Sequence, residues 1–309
     1  MHVLSTEDSC RDPAGREFLA ASGGGAAARL GASEFWASGR DALRSVSETL
    51  RGFRRIFLPR YVCPSMPIFL GSFAGLERYD DGPLMPEPRF DGARPEPGDC
   101  VFIVNYFGAK GGAFWAGWRE ANSGVFTVED HTFAPFSTWA SESGADIVFG
   151  SLRKALPVPD GAFLRRKGVA PRPLARRPSV SMPDFAAQIL AGMNLRSLLK
   201  GTECESYRRL FLKGEQRLFL KKNAERMSLY SHEILSRLDL EKFMAARAAA
   251  VSGFFSSARA AALPQFTPLR PVETFAAFEP LMAFERRGDM DLARKILFKR
   301  HARPALFWP

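Results

Sequence analysis

Three apolar stretches of the sequence, 100–104, 124–128 and 147–149, are each followed by residues that can bind ligands or transfer protons. These residues are Asn105, then Glu129, Asp130 and His131, and finally Ser151 and Lys154. Ligands of open α/β sheets bind outside the carboxyl ends of the strands. If the stretches are neighbouring parallel strands, the sequence predicts that these side chains meet at one edge of a sheet.

Lys154 stands out because of the segment that surrounds it, GSLRKALPVPDGAFL, residues 150–164. It follows a strand-like run and precedes the rigid turn 157–161, whereas a lysine that serves solubility more often lies on a helix face. A lysine near an acidic strand end suggests pyridoxal phosphate. This cofactor needs a lysine for its Schiff base, a carboxylate for its ring nitrogen and donors for its phosphate.

A phosphate needs hydrogen-bond donors, and a helix that begins near Ser38 and Gly39 offers free backbone N–H groups for it. We therefore expect pyridoxal phosphate as the cofactor and no metal. The alternative readings are simpler: Lys154 is a surface lysine after a strand, Asp130 caps a helix, and His131 is a partly buried structural histidine.

The elements that must position these residues follow from hydrophobic spacing. Leu43, Val46, Leu50 and Phe53 recur every three or four residues and predict a helix over 41–53. The stretches 100–106 and 146–149 are apolar without alternation, which is typical of strands covered on both faces of a parallel sheet. We expect a three-layer α/β domain.

The composition changes at Gly168, where a segment rich in proline and arginine predicts a connector to a mainly helical part. We predict an N-terminal segment (1–30), a large α/β domain (31–175), and linker helices with a small C-terminal domain (176–309). The chain of 309 residues is long enough for one large and one smaller core.

Composition limits the function classes. No apolar run approaches the length of a membrane span, and the four cysteines are far apart, which fits a reducing cytoplasm. The net charge of +10 is concentrated in 51–60, 165–177 and 208–226. This charge suits a phosphate-bearing small molecule or nucleic acid. We do not expect nucleic acid as a partner, because no DNA- or RNA-binding signature accompanies the charge.

Several segments together resemble the DegT-type sugar aminotransferases, in particular divergent members found with polysaccharide-biosynthesis genes. They occur in the family's order: FWASGRDAL (35–43), FLPRYVCPS (57–65), VNYFG (104–108), VEDHTFAPFS (128–137) and FGSLRKALPVPDGA (149–162). A later stretch, 227–248, is similar to the family's helix after the cofactor domain.

This resemblance implies fold type I of the pyridoxal-phosphate enzymes, with a mainly parallel sheet, and a homodimer with active sites at the subunit interface. It implies that Lys154 forms the Schiff base and acts as general acid and base, and that Asp130 pairs with the ring nitrogen. Ser151 and the start of the helix at Gly39, with the backbone N–H groups of Arg40 and Asp41, would hold the phosphate.

The position that stacks on the cofactor ring falls near Tyr61 or Cys63, and the sequence does not choose between them. Family members commonly have His or Gln where this chain has Phe133, a role that His131 would take over, and many have His where it has Asn105. The family also extends by a strand and a helix past the last residue here, so we expect a shortened C-terminal α+β domain.

The resulting function is transfer of an amino group from glutamate or glutamine to a nucleotide-linked keto sugar in polysaccharide or cell-surface glycan biosynthesis. The substituted residues Asp41, Phe133 and Asn105 favour an alternative, a catalytically drifted protein of the same fold that binds or regulates. A basic protein that binds nucleic acid or an anionic surface is a third hypothesis. The acceptor sugar and the amino donor stay open.

Overall fold

The computed structural model describes residues 2–6, 26–170, 181–199, 204–260, 263–269, 271–272, 280–299 and 304–307. The strands in these ranges are β1 (His2–Thr6), β2 (Glu34–Trp36), β3 (Arg55–Pro59), β4 (Gly75–Tyr79), β5 (Cys100–Val104), β6 (Phe126–Asp130), β7 (Ile147–Ser151), β8 (Ala162–Arg166), β9 (Thr267–Leu269), β10 (Leu281–Phe284) and β11 (Pro304–Phe307). The α-helices are α1 (Ala26–Arg29), α2 (Gly39–Arg44), α3 (Ser47–Arg51), α4 (Ser65–Leu70), α5 (Ala113–Ala121), α6 (Thr138–Glu142), α7 (Asp184–Leu199), α8 (Cys204–Leu220), α9 (Leu229–Arg237), α10 (Leu240–Ala260) and α11 (Arg287–Lys299).

The larger sheet has the strand order β2-β8-β7-β6-β5-β3-β4. Strands β3 to β7 pair in parallel, and β8 runs antiparallel to both of its neighbours. In the register of the sheet, Asp130 pairs with Val104 on one side and with Phe149 on the other. The residues that follow β5, β6 and β7 therefore leave the sheet at the same edge, as the sequence predicts.

Both faces of this sheet are covered, which explains the unbroken apolar runs. Every residue of β5 and of β7 is buried. Phe102 and Phe149 face one hydrophobic cluster with Leu43 of α2, while Ile103 faces a second cluster with Trp115 of α5. The three-layer arrangement with a mainly parallel sheet is confirmed.

The predicted helix over 41–53 is instead two short helices, α2 and α3. The break comes at Ser45, whose hydroxyl donates to the carbonyl oxygen of Ala42 at 2.6 Å and competes with helical backbone bonding. Leu43, Val46 and Leu50 are nevertheless buried on one face. The spacing thus identified the buried face correctly, although it gave no sign of the break.

The smaller sheet is antiparallel and has the order β11-β1-β10-β9. Strand β1 comes from the N-terminal segment, yet it pairs with β10 and β11. The backbone N–H of Val272 donates to the carbonyl oxygen of Gly108 at 2.8 Å, which ties this part of the chain to the turn after β5. The predicted domain boundaries stay a prediction.

Helices α7 and α8 form a closely packed hairpin. A methyl group at Gly214 would lie 2.7 Å from Ile189 Cγ1, and one at Gly192 would lie 3.1 Å from the ring of Phe211. The absence of side chains at these two glycines lets the helices approach. Among the described helices, none is long and apolar enough to cross a bilayer.

Candidate active site

A cavity of about 280 Å³ lies at the carboxyl ends of β6 and β7, bounded by the starts of α2 and α4 and by the last turns of α8. We call it the Lys154 cavity. Six of the ten predicted site residues line it: Gly39, Arg40, Cys63, Asp130, Ser151 and Lys154. The lysine, the aspartate and the serine that the sequence predicts to share a site therefore line one cavity.

Lys154 ends a single 3-10 turn that directly follows β7. The turn is fixed because the N–H of Leu152 donates to the carbonyl oxygen of Gly161 at 2.8 Å, and the N–H of Leu156 donates to that of Leu152 at 2.7 Å. The Lys154 Nζ lies 5.0 Å from the centroid of the Phe133 ring. No carboxylate among the described residues forms an ion pair with this amine, so it is available for a ligand.

Asp130 is the last residue of β6. Its Oδ1 accepts a hydrogen bond of 2.9 Å from the backbone N–H of Thr132. Burial raises the pKa of Asp130 above its ordinary value, while hydrogen bonds from Thr132 and the charge of Lys154 act in the opposite direction. A cationic group bound beside this carboxylate would favour its charged form.

Ser151 ends β7 and lies against the start of α2. Its backbone N–H donates to Thr132 Oγ1 at 3.0 Å. A methyl group at Gly39 would lie 3.5 Å from Ser151 Cβ, so the helix start packs on the serine at van der Waals distance. Ser151 and the start of α2 thus lie side by side in the lining of the cavity.

Arg40 adds positive charge to this lining. Burial lowers the pKa of Arg40, and the neighbouring charges of Arg153 and Arg44 lower it further. Its guanidinium lies 5.4 Å from the centroid of the Phe219 ring, and within the described ranges it makes no ion pair. Arg153, by contrast, holds Glu215 of α8 at 2.5 and 3.1 Å. Of these two arginines, Arg40 is therefore the one without a carboxylate partner among the described residues.

Asp41 and Tyr61 lie outside the cavity lining. The carboxylate of Asp41 binds Ser38 Oγ, Arg44 and Lys221, and its backbone N–H donates to Ser38 Oγ at 3.2 Å. This N–H already donates to Ser38 Oγ, the N-cap of α2, and a phosphate contact from it stays a prediction. The ring of Tyr61 packs on Tyr106 instead, with centroids 5.8 Å apart.

Of the two positions proposed to stack on the cofactor ring, Cys63 is the one that lines the cavity. Its Sγ lies 3.2 Å from Ser65 Oγ. The aromatic ring that lines the cavity near Lys154 belongs to Phe133.

His131 and Asn105 belong to a buried network behind the cavity. His131 Nε2 lies 2.8 Å from Glu129 Oε2, and His131 Nδ1 lies 3.0 Å from the Asn105 amide nitrogen. The same amide donates to Ser137 Oγ at 3.1 Å, and Arg119 forms an ion pair with Glu129. The network ties the ends of β5 and β6 to the start of α6, so both residues position the site instead of facing it.

Several lining residues carry no sequence signal that identifies them in advance. Glu215, Leu218 and Phe219 come from α8, a helix far along the chain that reaches the cavity through tertiary packing. Thr132 is the exception. Its hydroxyl comes two residues after the candidate acid Asp130 at a strand end, and this position predicts that it binds a ligand or holds the site residues in place.

The turn that carries Phe107 supports the cavity from behind. Phe107 has a φ of 59°, in the left-handed region that non-glycine residues seldom adopt. Its ring packs on Phe133 with centroids 4.9 Å apart, and Phe133 in turn lies beside Lys154. The uncommon backbone conformation therefore coincides with the placement of an apolar wall of the site.

Comparison with known proteins identifies the fold. Neither protein-family models nor curated protein sequences match the chain. Among solved structures, Spr1654 from Streptococcus pneumoniae in its PLP form is 12% identical, with a TM-score of 0.54 over 93% of this chain and 78% of that one. DesI, solved in the presence of its TDP-sugar product, is 15% identical, with a TM-score of 0.53 over 90% and 68%.

The aminotransferase TlmJ from Streptoalloteichus hindustanus is also 15% identical, with a TM-score of 0.51 over 87% of this chain and 70% of that one. The chain shares with these proteins the fold type I architecture of pyridoxal-phosphate enzymes, and the predicted fold class is confirmed. At these identities the likeness establishes the fold, and the activity has to be argued from the cavity.

Proposed function

We propose that the chain is a pyridoxal-phosphate-dependent aminotransferase that moves an amino group from glutamate or glutamine to a nucleotide-linked keto sugar. The observation that carries this proposal is the shared cavity of Lys154, Asp130 and Ser151 beside the start of α2. The fold supports it, since an aminotransferase and a protein with a TDP-sugar product have the same architecture.

The residues present fit the cofactor. Lys154 supplies an amine without an ion pair among the described residues, and Asp130 supplies a carboxylate for a protonated ring nitrogen. Ser151 supplies a hydroxyl, and the start of α2 supplies the backbone N–H of Arg40, for a phosphate. When bound, pyridoxal phosphate supplies an electron-accepting ring. This donor set is complete, which favours the enzyme over the drifted, binding-only alternative.

Each residue has a role that follows from its place. Lys154 would carry the cofactor covalently and, once released, accept and return a proton at its Nζ. Asp130 would hold the proton on the ring nitrogen. Phe133 and Phe149 give the cavity apolar walls, and an environment with little water strengthens the interactions of the Asp130 charge.

We further propose that two copies of the chain associate. Large apolar side chains are exposed on α8, the helix whose last turns line the cavity: Leu212 (56% exposed) and Leu220 (74%). Exposed apolar residues gathered near a site are typical of interfaces. Cys63 and Cys100 are free thiols, which supports the proposed cytoplasmic location.

The test is covalent capture of the cofactor. We expect protein incubated with pyridoxal phosphate to absorb visible light, and borohydride to fix the cofactor on the peptide that contains Lys154. Lys154→Ala should abolish both the absorbance and the label. Lys167→Ala removes an exposed lysine that does not line the Lys154 cavity and serves as the matched control.

Activity is then measured as formation of 2-oxoglutarate from glutamate in the presence of a nucleotide-linked keto sugar. We expect formation that requires both substrates and Lys154, with glutamine compared in parallel. A wild-type protein that stays colourless and unlabelled at saturating cofactor would overturn the proposal.

A further inference from the structure

A second cavity, of about 570 Å³, opens next to the Lys154 cavity and carries a concentration of positive charge. Its walls come from α2, α3, α4 and the residues that follow α8. Among the residues that the structure describes, five cations and no carboxylate line it: Arg40, Arg44, Arg51, Lys221 and Lys222. We call it the basic cavity.

Neighbouring carboxylates neutralise only part of this positive charge. Asp41 binds both Arg44 and Lys221, Glu225 also binds Lys221, and Glu48 binds Arg51. Arg40 and Lys222 make no ion pair with any described residue. Five cations against three carboxylates leave two positive charges in excess at this cavity.

Two of the cations are held in fixed positions. Arg44 donates to the carbonyl oxygen of Lys221 at 2.6 Å and to Asp41 at 3.2 Å, and Lys221 Nζ lies 2.9 Å from Asp41. Asp41 itself is fully buried. A ligand anion would meet preorganised charges here and would not have to order two long side chains.

The cavity also offers aromatic and apolar surface. The guanidinium groups of Arg44, Arg51 and Arg40 lie between 5.3 and 5.4 Å from the ring centroids of Phe69, Phe73 and Phe219, respectively. These ring contacts restrict the arginines without neutralising them. The exposed side chains of Phe219 and Ile68 leave apolar area for the remainder of a ligand.

We propose that the basic cavity binds the diphosphate group of a small ligand. The excess of positive charge favours a diphosphate, which carries at least two negative charges whether its far end is esterified or free, and the volume is within the range of small-molecule sites. Where the diphosphate belongs to the acceptor, this proposal deepens the proposed function and rests on it. The binding itself depends on the charges of this cavity and not on what Lys154 carries.

Two kinds of ligand would present a diphosphate to this cavity. It belongs to the sugar acceptor itself, or it belongs to a free nucleoside diphosphate that binds in addition to the acceptor. Arg40, Ser65 and Phe219 line both cavities, so a ligand held by its diphosphate in the basic cavity would extend towards Lys154.

Calorimetric titration of the full chain with inorganic pyrophosphate and with uridine diphosphate tests the proposal. We expect saturable binding that Lys222→Glu and Arg51→Gln each weaken about tenfold and that Lys222→Arg preserves. Lys242→Glu is the matched control, because Lys242 is an exposed lysine on α10 outside both cavities. Binding should also weaken as ionic strength rises.

The sources are separated by kinetics. If the diphosphate belongs to the acceptor, Lys222→Glu raises the KM for a nucleotide-linked sugar and leaves the KM for glutamate unchanged. If it belongs to a free nucleoside diphosphate, uridine diphosphate binds without competing with the acceptor. Both results support the proposal.

Equal affinity of Lys222→Glu and Lys242→Glu for pyrophosphate would overturn it, as would the absence of binding at millimolar concentration. Binding of a short DNA duplex that Lys222→Glu and Lys242→Glu weaken equally would also overturn the proposal, because the positive charge would then attract any polyanion. A colourless protein that still binds pyrophosphate in the expected way would contradict only the proposed function.

Discussion

The Lys154 amine faces the ring of Phe133 at 5.0 Å from its centroid, in a cavity that also contains the carboxylate of Asp130. The face of an aromatic ring attracts a cation by about 0.5–2 kcal/mol. Phe133 therefore does two things in this site: it orients the amine and it forms part of an apolar wall. The Phe107 ring, 4.9 Å away, holds it in place.

Replacing Phe133 by leucine should weaken the capture of pyridoxal phosphate, because the wall is kept but the aromatic face is lost. From the energy of the contact we expect a decrease of roughly threefold to tenfold in affinity. The measurement is a titration followed by visible absorbance. Phe133→Tyr preserves the aromatic face and should bind pyridoxal phosphate with the affinity of the wild type. Wild-type affinity in the leucine variant would refute the role of the ring.

The buried network behind the cavity predicts a large stability effect. His131→Leu removes the partner of both Glu129 and Asn105, and we expect a loss of about 2–4 kcal/mol in the free energy of unfolding. Denaturant titration measures it. Adding Glu129→Leu should recover part of the loss, since it removes a buried carboxylate that has lost its histidine partner and that keeps the ion pair with Arg119; strict additivity of the two changes would argue against the coupling.

Asp99 predicts how stability depends on pH. Burial opposes its charge, but hydrogen bonds from Arg55, Glu96 N–H and Arg54 lower the pKa of Asp99 to about 2. A carboxylate with a lowered native pKa stabilises the fold above its unfolded pKa, near 4, and loses that contribution as the pH falls towards 2.

We therefore expect Asp99→Asn to cost about 1 kcal/mol at neutral pH, a value reduced by solvent screening at the exposed Arg54. The difference from the wild type should shrink between pH 4 and pH 2. Unfolding titrations at several pH values measure it, and a difference that does not vary with pH would contradict the assignment.

Gly150 predicts a steric effect next to the site. A methyl group there would lie 2.6 Å from Phe163 Cε1 and 3.1 Å from the backbone carbon of His131. Gly150→Ala should destabilise the fold by roughly 1–3 kcal/mol and displace Ser151, with weaker binding of pyridoxal phosphate.

The control for this substitution is Gly117→Ala in α5, where nothing lies within 4 Å of the added methyl. There alanine should stabilise the helix by up to about 1 kcal/mol. Thermal unfolding compares the two variants. A Gly150→Ala variant with the wild-type melting temperature would show that the close packing at Gly150 does not contribute to stability.

Much of this site could be predicted because its parts are local to strand ends. Asp130 and Ser151 end β6 and β7, and Lys154 follows one turn later, so parallel pairing alone brings them together. The role of Asp41 could not be predicted in the same way, because it depends on Lys221, which arrives from the end of α8 through tertiary packing.

The same limit applies to the choice between Tyr61 and Cys63. The two residues are close in sequence, and only the packing of Tyr61 on Tyr106 shows which of them turns away from the cavity. The break between α2 and α3 also escapes hydrophobic spacing, because both helices bury the same face.

The smaller sheet has a consequence for how the protein is made. Strand β1 ends at Thr6, but the strands on either side of it, β10 and β11, begin at Leu281 and Pro304. During synthesis β1 is therefore made long before both of its neighbours and stays without a hydrogen-bonded partner strand until they have been translated. Closing so long a loop is slow, so the large sheet and its cavity can form well before the small sheet does.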